Sequence, residues 1–190
     1  MLVRPWAFND TAFKVNFLTT IAPTFMNRIF TTAAILIAGL LIGAALLWKS
    51  ESIAPNSTFV MLDGSTQQTT DLKGQVTLVN FWATSCVTCV AEMPEMVNTF
   101  EKFKGQGFRT LAVSMQYDPP SYVVNFVQSR KLPFDVAIDN TGAIAKAWGD
   151  VQLTPTSYLV DKKGRIVKRY VGTPDFAQLN ALIAQLLLEA

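Results

Sequence analysis

The sequence predicts an α/β domain, a sheet covered by helices, preceded by one membrane-spanning helix. Three observations carry that prediction. Strand-like and helix-like segments alternate from residue 58 onward. A strand-like stretch dense in apolar residues, 76–82, leads straight into a helix-patterned segment holding the only two cysteines, Cys86 and Cys89. Ahead of all this stand twenty uncharged residues, 29–48.

Residues 1–28 mix polar and aromatic types with no sustained period. They read as an N-terminal tail. Met26-Asn27-Arg28, directly before the apolar run, looks like a natural start, which would make the first 25 residues a mis-assigned leader or a disordered tail. At about 1.5 Å per residue, a helix over 29–48 spans roughly the 30 Å hydrocarbon core of a bilayer. Trp48 and Lys49 at its end suit the membrane interface. The run is longer than the apolar core of a cleaved signal peptide, and no convincing small-x-small site follows, so an uncleaved signal anchor is expected. No cysteine follows closely enough for a lipoprotein anchor. Lys14 and Arg28 before the span, against Lys49 alone close after it, favour an inward N-terminus and a domain outside the cytoplasm. Gly39 and Gly43 offer a small-xxx-small face for helix pairing, a spacing that also arises by chance in such a span.

Residues 49–57 read as a polar linker, and 58–190 as the folded domain. A strand over 58–62, the turn signal Asp63-Gly64 and a return strand over 66–70 form a hairpin. Asp71-Leu72-Lys73-Gly74 then turns the chain into the buried strand 76–82. The cysteine helix is expected from about 86 to 103, closed near Gly105 and Gly107, and a second buried strand covers 108–115. Pro119-Pro120 opens a helix running to about Arg130. A short strand at 134–138 and a short helix at 141–148 follow. Strands at 158–161 and 166–171 flank Lys162-Lys163-Gly164-Arg165 as a hairpin, and an amphipathic helix over 174–188 closes the chain. A net charge of +2 is too small to imply a nucleic-acid partner. The basic run Lys162, Lys163, Arg165, Lys168, Arg169 reads as the solvated face of that hairpin.

Three residues along a helix place two Cα atoms about 5 Å apart, inside the window of roughly 4.4–6.8 Å that a disulfide needs. Cys86 is expected at the helix N-terminus, where unpaired N–H groups and the helix dipole favour the thiolate, the attacking species. Cys89, one turn on, lies on the apolar stripe with Met93, Val97 and Phe100 and is expected to be buried, as the resolving thiol. Glu92, at the edge of that stripe, is the candidate for proton handling with a raised pKa, against the plain alternative of a solvated helix acid. Glu95 points further outward. Pro94 is expected to kink the helix.

A structural staple is a weaker reading, since closing a four-residue loop gives only about 1.9 kcal/mol against roughly 3 kcal/mol for fifteen residues. With no histidine in the chain, a Cys–His protease mechanism is excluded. Two thiolates cannot close a tetrahedral zinc site, so no metal site and no cofactor beyond the cysteine pair is expected. The alternative function is a module that binds and delivers cuprous copper through Cys86 and Cys89. Tight one-to-one copper binding without exchange activity would select it.

The Val79-Asn80-Phe81-Trp82-Ala83-Thr84 approach to the cysteines resembles the thioredoxin fold, as does Glu92 with Pro94 on the same helix. The inserted stretch 119–148, Thr154-Pro155-Thr156 and Asp161-Lys162-Lys163-Gly164-Arg165-Ile166 narrow this to the membrane-anchored TlpA/ResA-like thiol–disulfide oxidoreductases. The resemblance covers about residues 55–190. It implies a thioredoxin-like fold with an N-terminal hairpin and a central strand–helix insertion. It also implies a cis Thr154-Pro155 loop that faces the cysteines and pairs with substrate, with Trp82 as a wall beside them. The implied partners are an inner-membrane thiol donor and an extracytoplasmic protein disulfide, in cytochrome c precursors or copper-delivery proteins. The implied location is the plasma membrane, single-pass, with the catalytic domain on the periplasmic or outer side. The chain departs from the family pattern with Ser85 in place of a Trp before the first cysteine. Val87-Thr88 replaces a pair that usually ends in Pro, and Leu153 stands where Gly is frequent. Asn80 occupies the position of the buried acid of cytosolic thioredoxins, as in many membrane-anchored relatives.

Overall fold

The structure, a computed structural model, describes residues 52–189. The tail and the apolar span of 29–48 lie outside the described residues; among those described, no helix is long and apolar enough to cross a membrane. In chain order the elements are β1 (Ser52–Ile53), β2 (Thr58–Met61), β3 (Thr66–Gln68), β4 (Val76–Trp82), α1 (Val87–Phe103), β5 (Phe108–Ser114), α2 (Pro120–Arg130), β6 (Asp135–Ile138), α3 (Ala143–Ala147), β7 (Thr156–Val160), β8 (Arg165–Val171) and α4 (Phe176–Leu188).

All eight strands join one sheet in the order β1-β8-β7-β4-β5-β6-β2-β3. At its centre β4 runs parallel to β5 and antiparallel to β7, and it is buried at every position. That explains its near-continuous apolar character, which a strand covered on both faces requires. Successive side chains on a strand point to opposite faces. Val79 and Phe81 accordingly pack with Phe59, Trp148, Tyr158 and the α3 residue Ile144. Val76, Leu78 and Trp82 turn to the other face, against Cys89, Met93 and Met96 of α1 and Leu179, Ile183 and Leu186 of α4. Asn80 shares this second parity, which aims its amide at α1.

The N-terminal hairpin forms at the expected turn. Asp63 Oδ1 accepts from the backbone N–H of Ser65 at 2.9 Å, and Gly64 takes φ 83°, a left-handed conformation that glycine adopts without cost. The return strand ends at Gln68 rather than at Thr70. Asp71 accepts from the backbone N–H of Gln68 at 2.7 Å and pulls Thr69–Leu72 into a 3-10 turn.

The stretch expected as a linker is in part structural. Ser52–Ile53 pairs antiparallel with β8, Ala54 is buried, and Ser57 Oγ accepts from Trp148 Nε1 at 3.1 Å. The basic hairpin is likewise only partly a solvated face. Lys162 Nζ donates to Leu187 O at 2.8 Å and to Glu189 O at 2.7 Å, neutralising the carbonyl end of α4. Arg165 Nε pairs with the buried Asp161 carboxylate at 2.6 Å.

Candidate active site

Cys86 is the N-cap residue of α1, and its Sγ accepts from Cys89 N at 3.2 Å, so sulfur occupies the place a Ser or Asp oxygen usually takes. The two cysteines are joined as a disulfide with a Cα–Cα distance of 5.2 Å, close to the helical expectation. Their exposures differ as expected: Cys86 is half-buried and Cys89 fully buried. The helix runs unbroken through Pro94, which lies on its exposed side, where the missing N–H is least costly.

Thr154-Pro155 is a cis peptide, and Thr154 O lies 3.6 Å from Cys86 Sγ. The loop therefore faces the more exposed sulfur, with Pro155 buried and Thr154 half-exposed. Val87 and Leu153, two of the residues that depart from the family pattern, are 84% and 65% exposed on either side of this contact. Trp82 requires a correction. It is wholly buried, with its ring centroid 5.2 Å from that of Phe126, and has no surface to offer a substrate. It packs in the same buried core as Cys89 and is not a wall that a partner touches.

Glu92 is only 4% exposed, so the reading as a solvated acid is overturned. Oε1 accepts from Asn80 Nδ2 at 3.2 Å, and Asn80 Nδ2 also donates to Ser157 Oγ at 2.9 Å. Among the described residues, Glu92 Oε2 and Asn80 Oδ1 are buried without a hydrogen-bond partner. Burial disfavours the charged carboxylate and pushes its pKa up to about 7 from 4.5, while the Thr173 hydroxyl and the Asn80 amide pull the other way and are outweighed. Near neutral pH this carboxyl is populated in both protonation states, one helical turn beyond Cys89. The sequence identified Glu92. It did not identify Ser157, which meets the Asn80 amide from β7, or Thr173, whose hydroxyl acts on the carboxyl from the loop after β8. The inward parity of Asn80 on β4 was the available signal for a polar partner on that face.

With this geometry in view, the comparisons with known proteins decide the family. A family model described as Redoxin matches residues 49–183. The chain belongs to the redoxin family. It is 35% identical over 133 residues to thiol-disulfide oxidoreductase ResA of Bacillus thuringiensis subsp. konkukian, covering 70% of this chain and 76% of that protein. Against ResA of Bacillus subtilis the identity is 35% over 122 residues, 64% of this chain and 67% of that one. Among solved structures, a candidate thioredoxin of Neisseria meningitidis is 41% identical, with TM-score 0.68, covering 73% of this chain and 93% of its own. A candidate thiol:disulfide interchange protein DsbE of Chlorobium tepidum is 28% identical, with TM-score 0.67, covering 73% and 98%. This redoxin is a protein thiol–disulfide oxidoreductase of thioredoxin-like α/β fold, and its redox-active group is the Cys86–Cys89 pair itself.

Proposed function

We propose that the chain is a membrane-tethered reductase on the outer face of a bacterial inner membrane. It would reduce disulfides of extracytoplasmic proteins and draw its electrons from an inner-membrane thiol donor. The observation that carries the direction of attack is the inequality of the two sulfurs: Cys86 half-exposed against Thr154 O, Cys89 buried one turn before the buried Glu92.

The cycle starts from the dithiol. Cys86 thiolate attacks one sulfur of the partner disulfide, that S–S bond breaks, and the first partner sulfur leaves as a thiolate that takes up a proton. Cys89 gives its proton to Glu92 and attacks Cys86 Sγ. The mixed disulfide breaks, and the second partner sulfur departs and is protonated. Two electrons and two protons have passed to the partner, and the chain is left with the Cys86–Cys89 disulfide. The donor's dithiol then reverses these steps.

The segments that meet at the sulfur, residues 83–88 and 151–156, carry no charge. They suit a partner strand with apolar or small residues beside its cysteine, laid along the Thr154 backbone by strand addition. The family resemblance points to cytochrome c precursors or cysteines of copper-delivery proteins as partners, and the apolar span of 29–48 supports a tether. The test is Cys89→Ser in cells, with identification of what stays bound to Cys86. An extracytoplasmic protein with a cysteine pair is the expected product. A trapped cytoplasmic protein, or none under oxidising and reducing growth alike, would overturn the proposal.

A further inference from the structure

The turn between β5 and α2 carries two side chains that the exchange cycle leaves without a role. It is pinned to the end of the central strand: Met115 N donates to Trp82 O at 3.0 Å, and Asp118 N closes the turn on Met115 O at 2.9 Å. Asp118 is 3% exposed. Its Oδ2 accepts from Thr84 N at 2.6 Å and its Oδ1 from the Thr84 hydroxyl at 2.5 Å. Both are short, charge-assisted bonds, the strong class. Thr84 stands two residues before Cys86 on the loop that delivers the sulfur to the head of α1. Tyr117, the neighbour of Asp118, is exposed, and its hydroxyl shares a hydrogen bond of 3.2 Å with Thr154 Oγ1. Thr154 is the residue whose carbonyl faces Cys86 Sγ at 3.6 Å. One dipeptide thus grips both walls of the cleft, the cysteine loop through Asp118 and the cis-proline loop through Tyr117.

We infer that Tyr117 and Asp118 are positioning residues for disulfide exchange, setting the orientation of Cys86 and of the Thr154 edge that receives the partner. Asp118 holds the sulfur, so its loss slows attack on any disulfide, large or small. Tyr117 holds the docking edge, so its loss weighs more on a protein disulfide than on a small one. The assignment rests on the exchange activity of the Cys86–Cys89 pair and not on which protein is the partner.

The test compares rates at which the reduced full chain attacks two disulfides, insulin and the small uncharged 2-hydroxyethyl disulfide. Asp118→Ala is expected to lower both rates about tenfold, the scale of a modest misplacement of a reacting group. Asp118→Asn removes the same charge but keeps an acceptor for Thr84 N and a polar partner for its hydroxyl, so it is expected to restore most of the rate. That rescue separates holding from electrostatics. Tyr117→Phe, a change at an exposed side chain, is expected to lower the insulin rate about fivefold, the worth of roughly one hydrogen bond, and the small-disulfide rate by clearly less. Should Asp118→Ala fail to fold, Thr84→Val removes only the hydroxyl contact and is expected to slow both reactions about threefold. Folded Asp118→Ala or Thr84→Val reacting at the wild-type rate, or Tyr117→Phe with an unchanged ratio of the two rates, would overturn the inference. A wild-type chain inert toward both disulfides would overturn the exchange reading together with it.

Discussion

On the Cys86 side of the disulfide the surface is open and built from uncharged residues, with Val87, Leu153 and Tyr117 all more than half exposed. On the Cys89 side a carboxyl, an amide and a hydroxyl are buried together with the sulfur. The two sulfurs are three residues apart, yet one lies at the open surface and the other is buried one turn from the Glu92 carboxyl. Attack on a foreign disulfide needs access and an unhindered approach. In the proposed cycle resolution needs a base beside a buried thiol, the role proposed for Glu92, whose pKa desolvation raises toward neutrality. The division of labour in that proposed cycle is a division of media.

The largest expected effect on this contrast is Cys86→Ser, which removes the exposed nucleophile and should reduce insulin reduction to the uncatalysed level. Retained turnover would show that Cys89 attacks directly and that the contrast is false.

Next comes Glu92→Gln. The folded-state pKa of Glu92 is raised to about 7 from 4.5, so the fold favours the protonated acid. That contribution to stability is present in full below about pH 4.5 and is lost as pH rises through about 7. The oxidised wild-type chain should lose about 3 kcal/mol of stability from this one group between those limits, and the Gln variant should not. Urea denaturation at pH 4.5 and pH 8 measures the difference, and equal slopes for the two proteins would remove the proton store. The same substitution should also flatten the pH dependence of the resolving step.

On the open side, Leu153→Lys places a charge beside Thr154 and is expected to raise KM for insulin about fivefold with kcat little changed. An effect confined to kcat would mean that this face does not receive the partner.

The smallest effect is expected from Asn80→Ala. Removing the amide that stabilises the Glu92 carboxylate should move the inflection of the stability–pH curve to higher pH, a shift that NMR titration of the carboxyl carbon reads directly. A downward shift would contradict the assigned hydrogen bond.

Much of this was legible in the chain itself, for reasons that are local. The bounds of β4, the start of α2 at Pro120 and the helical spacing of Cys86 and Cys89 follow from side-chain period, proline stereochemistry and helix rise, all properties of a few neighbouring residues. The edge position of Glu92 on the α1 stripe was legible for the same reason. Other features depend on which segments meet. The two-residue β1 carries no period of its own and exists because β8 offers it an open edge. Trp82 is expected as a wall beside the cysteines, but strand parity gives two faces without saying which is covered, and α1 and α4 cover its side.

The sequence by itself determined a redox pair at the head of a helix behind a buried strand. Only the tertiary structure decided the environment of each sulfur. Asn80 and Ser157 are brought together across 77 positions, and Asp118 reaches Thr84 across 34. Contacts at that separation follow from sheet register and helix packing, which minimise exposed apolar surface over the whole domain and leave no mark on any short stretch of chain.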